Sequence, residues 1–151
     1  MPSYAIWAIG TPVPEPRARA WRGRIVADRK ADPWKRIVRQ AAQEAAQGVW
    51  FPAPMPVVVE LRFWLRRPKS HAPGPPLPIA ASRNDVDNLA KAVLDALGPW
   101  RKAPPIAWDD DAQVVGLSVW KHYAPADQKT GCEILVESGP DVFPTLPAWA
   151  S

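Results

Sequence analysis

Val57, Val59, Leu61, Phe63 and Leu65 alternate with Glu60, Arg62, Trp64 and Arg66. This alternation constrains the fold most, because a period of two specifies a β-strand. Elsewhere the apolar period changes to that of a helix. Trp34, Ile37, Val38, Ala41, Ala42 and Ala45 fall at helical spacing, with Lys35, Arg36, Arg39 and Gln43 off the stripe. Asp32 followed by Pro33 reads as a cap and a first helical position, and Gly48 as the stop. A second helix is predicted from about Val86 to Leu97, with Val86, Leu89, Ala90, Val93, Leu94 and Leu97 as its stripe and Gly98-Pro99 as its stop. Tyr4 to Ile9, Val114 to Tyr123 and Cys132 to Glu137 read as further strands. The last two are expected to form a hairpin around Lys129-Thr130-Gly131. The order strand, helix, strand, helix, strand, strand predicts one α+β domain over residues 1–138, a mixed sheet of about four strands with two main helices packed on it.

Twenty prolines, against a usual rate of about 5%, demand many turns and extended connections. Residues 11–31 are rich in Pro and Arg and read as a loop or extended arm. Residues 68–82 form a long proline-rich loop, and residues 139–151 a proline-containing tail. Cys132 is the one cysteine, which excludes an internal disulfide and argues for a reducing compartment. The first residues carry no basic-then-apolar signal pattern, and no apolar run approaches the roughly 18 residues of a membrane span.

The net charge of +4 is unevenly spread. Residues 15–39 hold nine Lys or Arg against three acids, and residues 62–83 hold Arg62, Arg66, Arg67, Lys69 and Arg83 with no acid. Residues 85–111 reverse the sign, with six Asp against Lys91, Arg101 and Lys102. A simple nucleic-acid binder has no need of an acidic centre, since carboxylates repel phosphate. A metal-dependent nuclease needs both charges, cations for the backbone and carboxylates for the metal.

The acidic centre has two parts. Asn84-Asp85-Val86-Asp87-Asn88-Leu89-Ala90-Lys91 opens the second helix. Asp87, Lys91 and Asp95 share a helix face opposite the apolar stripe. A purely structural alternative is available: Asp near a helix start complements the dipole, and Asp87 with Lys91 is an ordinary i,i+4 pair. Asp109-Asp110-Asp111 precedes the strand at Val114 and reads either as an exposed turn or as part of a cation site, since a cation relieves the repulsion among adjacent carboxylates. If the two parts converge, an all-oxygen ligand set favours Mg²⁺ or Mn²⁺. Zinc has little support from two isolated histidines, His71 and His122.

The run Asp85-Val86-Asp87-Asn88-Leu89 with Lys91, then Asp95-Ala96-Leu97, then Trp108-x-Asp110-Asp111-Ala112-Gln113-Val114, resembles the signature of the RusA family of Holliday-junction resolvases. The likeness covers residues 55–137 well and the amino-terminal third more loosely, through Thr11-Pro12-Val13-Pro14 and the arginines after it. It implies Asp85, Asp87 and Asp111 as essential carboxylates, Lys91 as the essential lysine and Asp110 as an adjacent acidic position. It also implies a bacterial or phage-encoded, cytoplasmic homodimer that uses Mg²⁺ or Mn²⁺ to cut four-way junctions in recombination and repair. Arg17, Arg19, Arg22, Arg24, Arg66, Arg67, Lys69 and Arg83 are the expected DNA-backbone contacts. Trp21 and Trp100 are candidates for stacking on a base at an opened junction, whereas Trp34, Trp64 and Trp108 read as packing residues. The extra Asp109, the longer loop at 71–82 and the tail depart from the simplest members. They leave open a nuclease for other branched or flap DNA, and a non-catalytic DNA-binding module remains an alternative if the acids only cap a helix and build a turn.

Overall fold

The computed structural model describes residues 3–69 and 84–138. The tail at 139–151, Arg83, His71 and most of the 68–82 loop lie outside the described residues. Six strands and two helices follow in the order β1 (Ser3–Ile9), β2 (Arg19–Trp21), β3 (Arg24–Val26), α1 (Asp32–Ala46), β4 (Val57–Leu65), α2 (Val86–Leu97), β5 (Val114–Tyr123) and β6 (Gly131–Glu137). The main sheet has the order β1-β6-β4-β5. β6 runs antiparallel to both β1 and β4, and β5 runs parallel to β4. The α+β architecture with a four-stranded mixed sheet and two main helices is the one the periodicities predict.

The hairpin expected from β5 and β6 does not form. The two strands are separated by β4, and the Lys129–Gly131 segment instead leads β6 into the gap between β1 and β4. Thr130 fixes that path through its carbonyl, which accepts from Gly10 N–H at 3.1 Å, and through its hydroxyl, which donates to Gly10 O at 2.9 Å. Local turn signals report that a chain reverses. They do not report which strand it then pairs with.

Both helices cover one face of the sheet, and the strand alternation explains why. Val57, Val59, Leu61, Phe63 and Leu65 all face the helices and are buried. They register with Ile134, Cys132 and Val136 of β6, which pair on to Ile6 and Ala8 of β1. Trp34, Val38 and Ala42 of α1 and Leu89, Val93 and Leu97 of α2 close that core, with Phe51 and Trp108 at one end. The opposite sheet face carries Trp7, Glu60, Arg62, Trp64, Trp120 and His122 and, among the described residues, has no helix over it. Trp64 stacks on His122 there and donates its indole N–H to Glu133 at 3.0 Å.

Two expectations for α1 are corrected. Asp32 is not the cap: Ala31 holds that position without a side-chain bond, and the Asp32 carboxylate pairs with Arg101 at 2.7 Å. The buried face is also rotated, since Lys35 and Arg39 are buried while Ile37 is 39% exposed. Arg39 reaches that position because its guanidinium donates to Ala96 O at 2.9 Å and to Pro104 O at 2.6 Å, taking the place an apolar side chain would fill. The arm at 11–31 is likewise more ordered than a loop, for it contains the two-stranded ribbon β2-β3.

Leu61 sits at the centre of this core, fully buried. Leu61→Ala should lower unfolding stability by about 2–5 kcal/mol, whereas Arg36→Ala on the exposed side of α1 should change it by no more than about 0.5 kcal/mol. Urea denaturation of the two variants checks the difference.

Candidate active site

α2 is held at both ends. At its start, Glu15 N–H donates to Asn88 O at 2.8 Å and the Lys121 ammonium donates to Asn84 O at 2.8 Å. At its end, the N–H groups of Ile106 and Ala107 both donate to Leu97 O, at 3.1 and 2.8 Å. Gly98 then ends the helix in an extended conformation. A side chain there would collide with the Asp111 carboxylate and the Trp108 indole, so the position requires glycine for want of space.

Asp85 is the N-cap residue of α2, yet its carboxylate makes no capping hydrogen bond. It faces the Arg17 guanidinium at 3.6 Å, with both side chains largely exposed. Asp87 lies in the first turn and Lys91 one turn on, both exposed. Among the described residues neither forms an ion pair, so the i,i+4 pair that would explain them structurally is not made. The third residue of that helix face behaves differently. Asp95 is half-buried against Lys35, and burial pushes its carboxyl above the usual range, opposed by the Lys35 charge.

Lys35 was not legible as a site residue. Its ammonium is buried, 2.5 Å from Glu15 Oε2 and 3.4 Å from Asp95 Oδ2, and 5.7 Å over the Trp100 ring. The Glu15 contact is a close approach of charges without hydrogen-bond alignment. Lys35 ties the arm at Glu15 to α1 and α2 and so holds Arg17, two residues on, beside Asp85. Trp100 is part of this packing, with the Arg39 and Arg101 guanidiniums 5.7 and 4.9 Å from its ring centre, and is not a free stacking platform.

The triple-aspartate segment has a different structure from an open acidic turn. Asp109 Oδ2 accepts from Ala53 N–H at 3.1 Å, and Asp110 Oδ1 accepts from Ala112 N–H at 2.9 Å as the cap of a 3-10 turn, Asp111–Gln113. Gln113 is the buried hub. Its amide oxygen accepts from the N–H groups of Asp109 and Asp110, and its amide nitrogen donates to Phe51 O and Met55 O, each at 2.9 Å. Asp111 Oδ1 accepts from the Trp108 indole at 2.9 Å, while the residue stays exposed.

The two acidic groups do not converge within one chain. Asp85 and Asp87 lie at the start of α2, and Asp111 touches its end. Twelve helical residues span about 18 Å. β5 gives a second ruler: Lys121, beside Asn84, is seven residues beyond Val114, which is roughly 23 Å of strand. One Mg²⁺ needs its ligands about 2.1 Å from the ion. Accordingly, among the described residues no three His, Cys, Asp or Glu side chains are close enough to hold one metal ion. Asp110 spends one carboxylate oxygen, Oδ1, on its cap bond.

The cations expected to contact DNA fall into two groups. Arg17 faces Asp85 at 3.6 Å, and Arg19, Arg22 and Arg24 follow it in sequence on the β2-β3 ribbon. Arg66, Arg67 and Lys69 follow the end of β4, where Arg67 sits over the Tyr123 ring at 4.7 Å. That end of the sheet is also the Lys121 end, so this second group and Arg17 share one end of the molecule with Asp85 and Asp87. No helix of the described residues is long and apolar enough to cross a membrane.

A family model described as Endodeoxyribonuclease RusA matches residues 10–137. No curated protein matches the sequence.

Lys35→Met should destabilise the fold by about 3–5 kcal/mol, because it leaves two carboxylates facing each other without their cation. The deficit should shrink as pH falls, because burial raises the Asp95 carboxyl above the usual carboxylate range and its protonation removes one of the charges that need the ammonium. Thermal melts of both proteins from pH 7 to pH 4 measure it.

Proposed function

The chain belongs to the RusA family of endodeoxyribonucleases, and on that premise we propose that it cuts four-way DNA junctions by metal-dependent phosphodiester hydrolysis, working as a homodimer. The observation that carries this reading is the pair Asp85 and Asp87: two exposed carboxylates at a helix start, with no capping bond at Asp85 and the Arg17 guanidinium facing it. Carboxylates on a basic surface repel DNA unless a cation bridges them to the phosphate. Two carboxylates completed by waters and a substrate phosphate are the usual protein share of a Mg²⁺ site, so the residues fit Mg²⁺ or Mn²⁺.

A bound Mg²⁺ or Mn²⁺ supplies charge neutralisation at the phosphate and a water of lowered pKa. Asp85 and Asp87 are the residues that would hold it at the start of α2. Lys91, one turn along the same face, offers its ammonium to the charge that builds on the phosphate oxygens. Arg17, which faces Asp85 at 3.6 Å, would turn to the DNA backbone once Asp85 held a metal, and Arg66, Arg67 and Lys69 offer further positive charge to it.

Asp111, roughly 20 Å from this pair by the length of α2, joins the same centre only if a second copy supplies it. A two-fold enzyme matches the two symmetry-related strands of a four-way junction. β5 is an open edge of the sheet, and Val115, Leu117 and Trp120 on it are exposed, a surface suited to a partner subunit.

Cleavage of labelled four-way, flap and linear DNA, with and without Mg²⁺, tests the proposal. The expected result is paired cuts in the four-way substrate alone, dependent on the metal. Asp85→Asn and Asp87→Asn should abolish cutting while leaving binding intact or tighter, and Lys91→Ala should slow it about 10²–10³-fold. Normal cutting by Asp87→Asn contradicts the metal assignment, and equal cutting of flaps contradicts the substrate.

A further inference from the structure

The β2-β3 ribbon stands apart from the rest of the fold. All six of its strand residues are exposed, and beyond its own pairing it packs extensively on no other helix or strand of the described residues. Its turn is Arg22-Gly23, both with positive φ, and a side chain at Gly23 would meet no described atom within 4 Å. Trp21, Ile25 and Val26 stand exposed on it among arginines, and large apolar side chains grouped on a surface point to use on a partner.

The register sorts its side chains. Arg19 pairs with Val26 and Trp21 with Arg24 on one face, and Ala20 pairs with Ile25 on the other. Trp21 is 62% exposed and Ile25 82%. The Arg22 guanidinium lies 4.5 Å from the centre of the Trp21 ring, and Arg19 and Arg24 flank the indole on its own face. An exposed indole among three guanidiniums combines a stacking surface for a base with charges for the neighbouring phosphates. Intact duplex offers base edges in its grooves and no base face. A base face is free only where stacking is broken, as at the branch point of joined duplexes.

The position agrees. Arg17 contacts Asp85, and Trp21 is four residues further along. At no more than about 3.6 Å per residue, its backbone lies within roughly 15 Å of the Arg17 backbone. We propose that the ribbon enters the branch point, where Trp21 stacks on an unpaired or unstacked base, Ile25 covers the opposite side, and Arg19, Arg22 and Arg24 hold the adjoining phosphates. This rests on the reading of the chain as a nuclease of branched DNA and assigns the part of it that senses the branch.

The test measures affinity for a four-way junction and for a linear duplex of the same arm sequence, with Mg²⁺ chelated, and follows 2-aminopurine placed at the branch point. Wild-type protein should prefer the junction and change the 2-aminopurine emission as the indole stacks on the base. Trp21→Ala should lose about 5- to 100-fold in junction affinity, less than twofold in duplex affinity, and the emission change. Trp21→Phe should retain most of both. Because the residue is exposed, the melting temperature of Trp21→Ala should match wild type, which separates the effect from misfolding. Equal losses on junction and duplex overturn the proposal in favour of a groove or backbone contact, and an unchanged Trp21→Ala overturns it outright while leaving the nuclease reading standing. A wild-type protein with no preference for the junction removes both.

Discussion

The structure depends on the clamping of α2 as a rod of fixed length. Its last turn is held by the paired bonds from Ile106 and Ala107 and by the packing of Gly98 against Trp108 and Asp111. Its first turn is held by the arm through Glu15 and by β5 through Lys121. A helix tied at both ends cannot shorten or tilt without breaking buried bonds, so the distance between the two acidic groups is fixed by the fold. The chain places one pair of carboxylates beside Arg17 and a third carboxylate at the far end of the helix.

The second constraint is the buried charge at Lys35. Lysine is among the residues least often fully buried unless paired, and here the two carboxylates come from the arm and from α2. The arrangement couples the Pro-rich arm to the helix that carries Asp85. The proline spacing at 12, 14 and 16 keeps the arm extended, and Lys35 fixes where it runs. The exposed ribbon is therefore an outgrowth of a well-anchored segment, standing beside the acidic pair.

Strand β4 and helix α2 were legible in the sequence because a single period governs each, and the motif from Asp85 to Lys91 was legible because its residues are adjacent. Strand pairing was not. The turn at 129–131 looks like a hairpin turn from sequence, and the contact that redirects it, Thr130 to Gly10, spans 120 residues. The face of α1 was misjudged for a related reason: apolar periodicity cannot foresee that Lys35 and Arg39 are neutralised or hydrogen-bonded by partners about sixty residues away. The roles of Asp109 and Asp110 were obscured by their charge. Asp110 followed three residues later by Gln113 is a capping-box spacing, and that signal was present in the sequence. What no local pattern contains is that Asp111 lies a full helix length from Asp85.

The central claim is that Asp85 and Asp87 of one chain work with Asp111 of another. A mixed dimer tests it directly. Asp87→Asn and Asp111→Asn chains carrying different affinity tags are co-expressed, and the heterodimer is isolated and given a labelled four-way junction with Mg²⁺. If the site is shared between chains, the heterodimer has one centre bearing both substitutions and one bearing neither, and it should nick the junction although each parent homodimer is inert. If the heterodimer is as inert as its parents, or if Asp111→Asn alone still cuts, the shared site is contradicted.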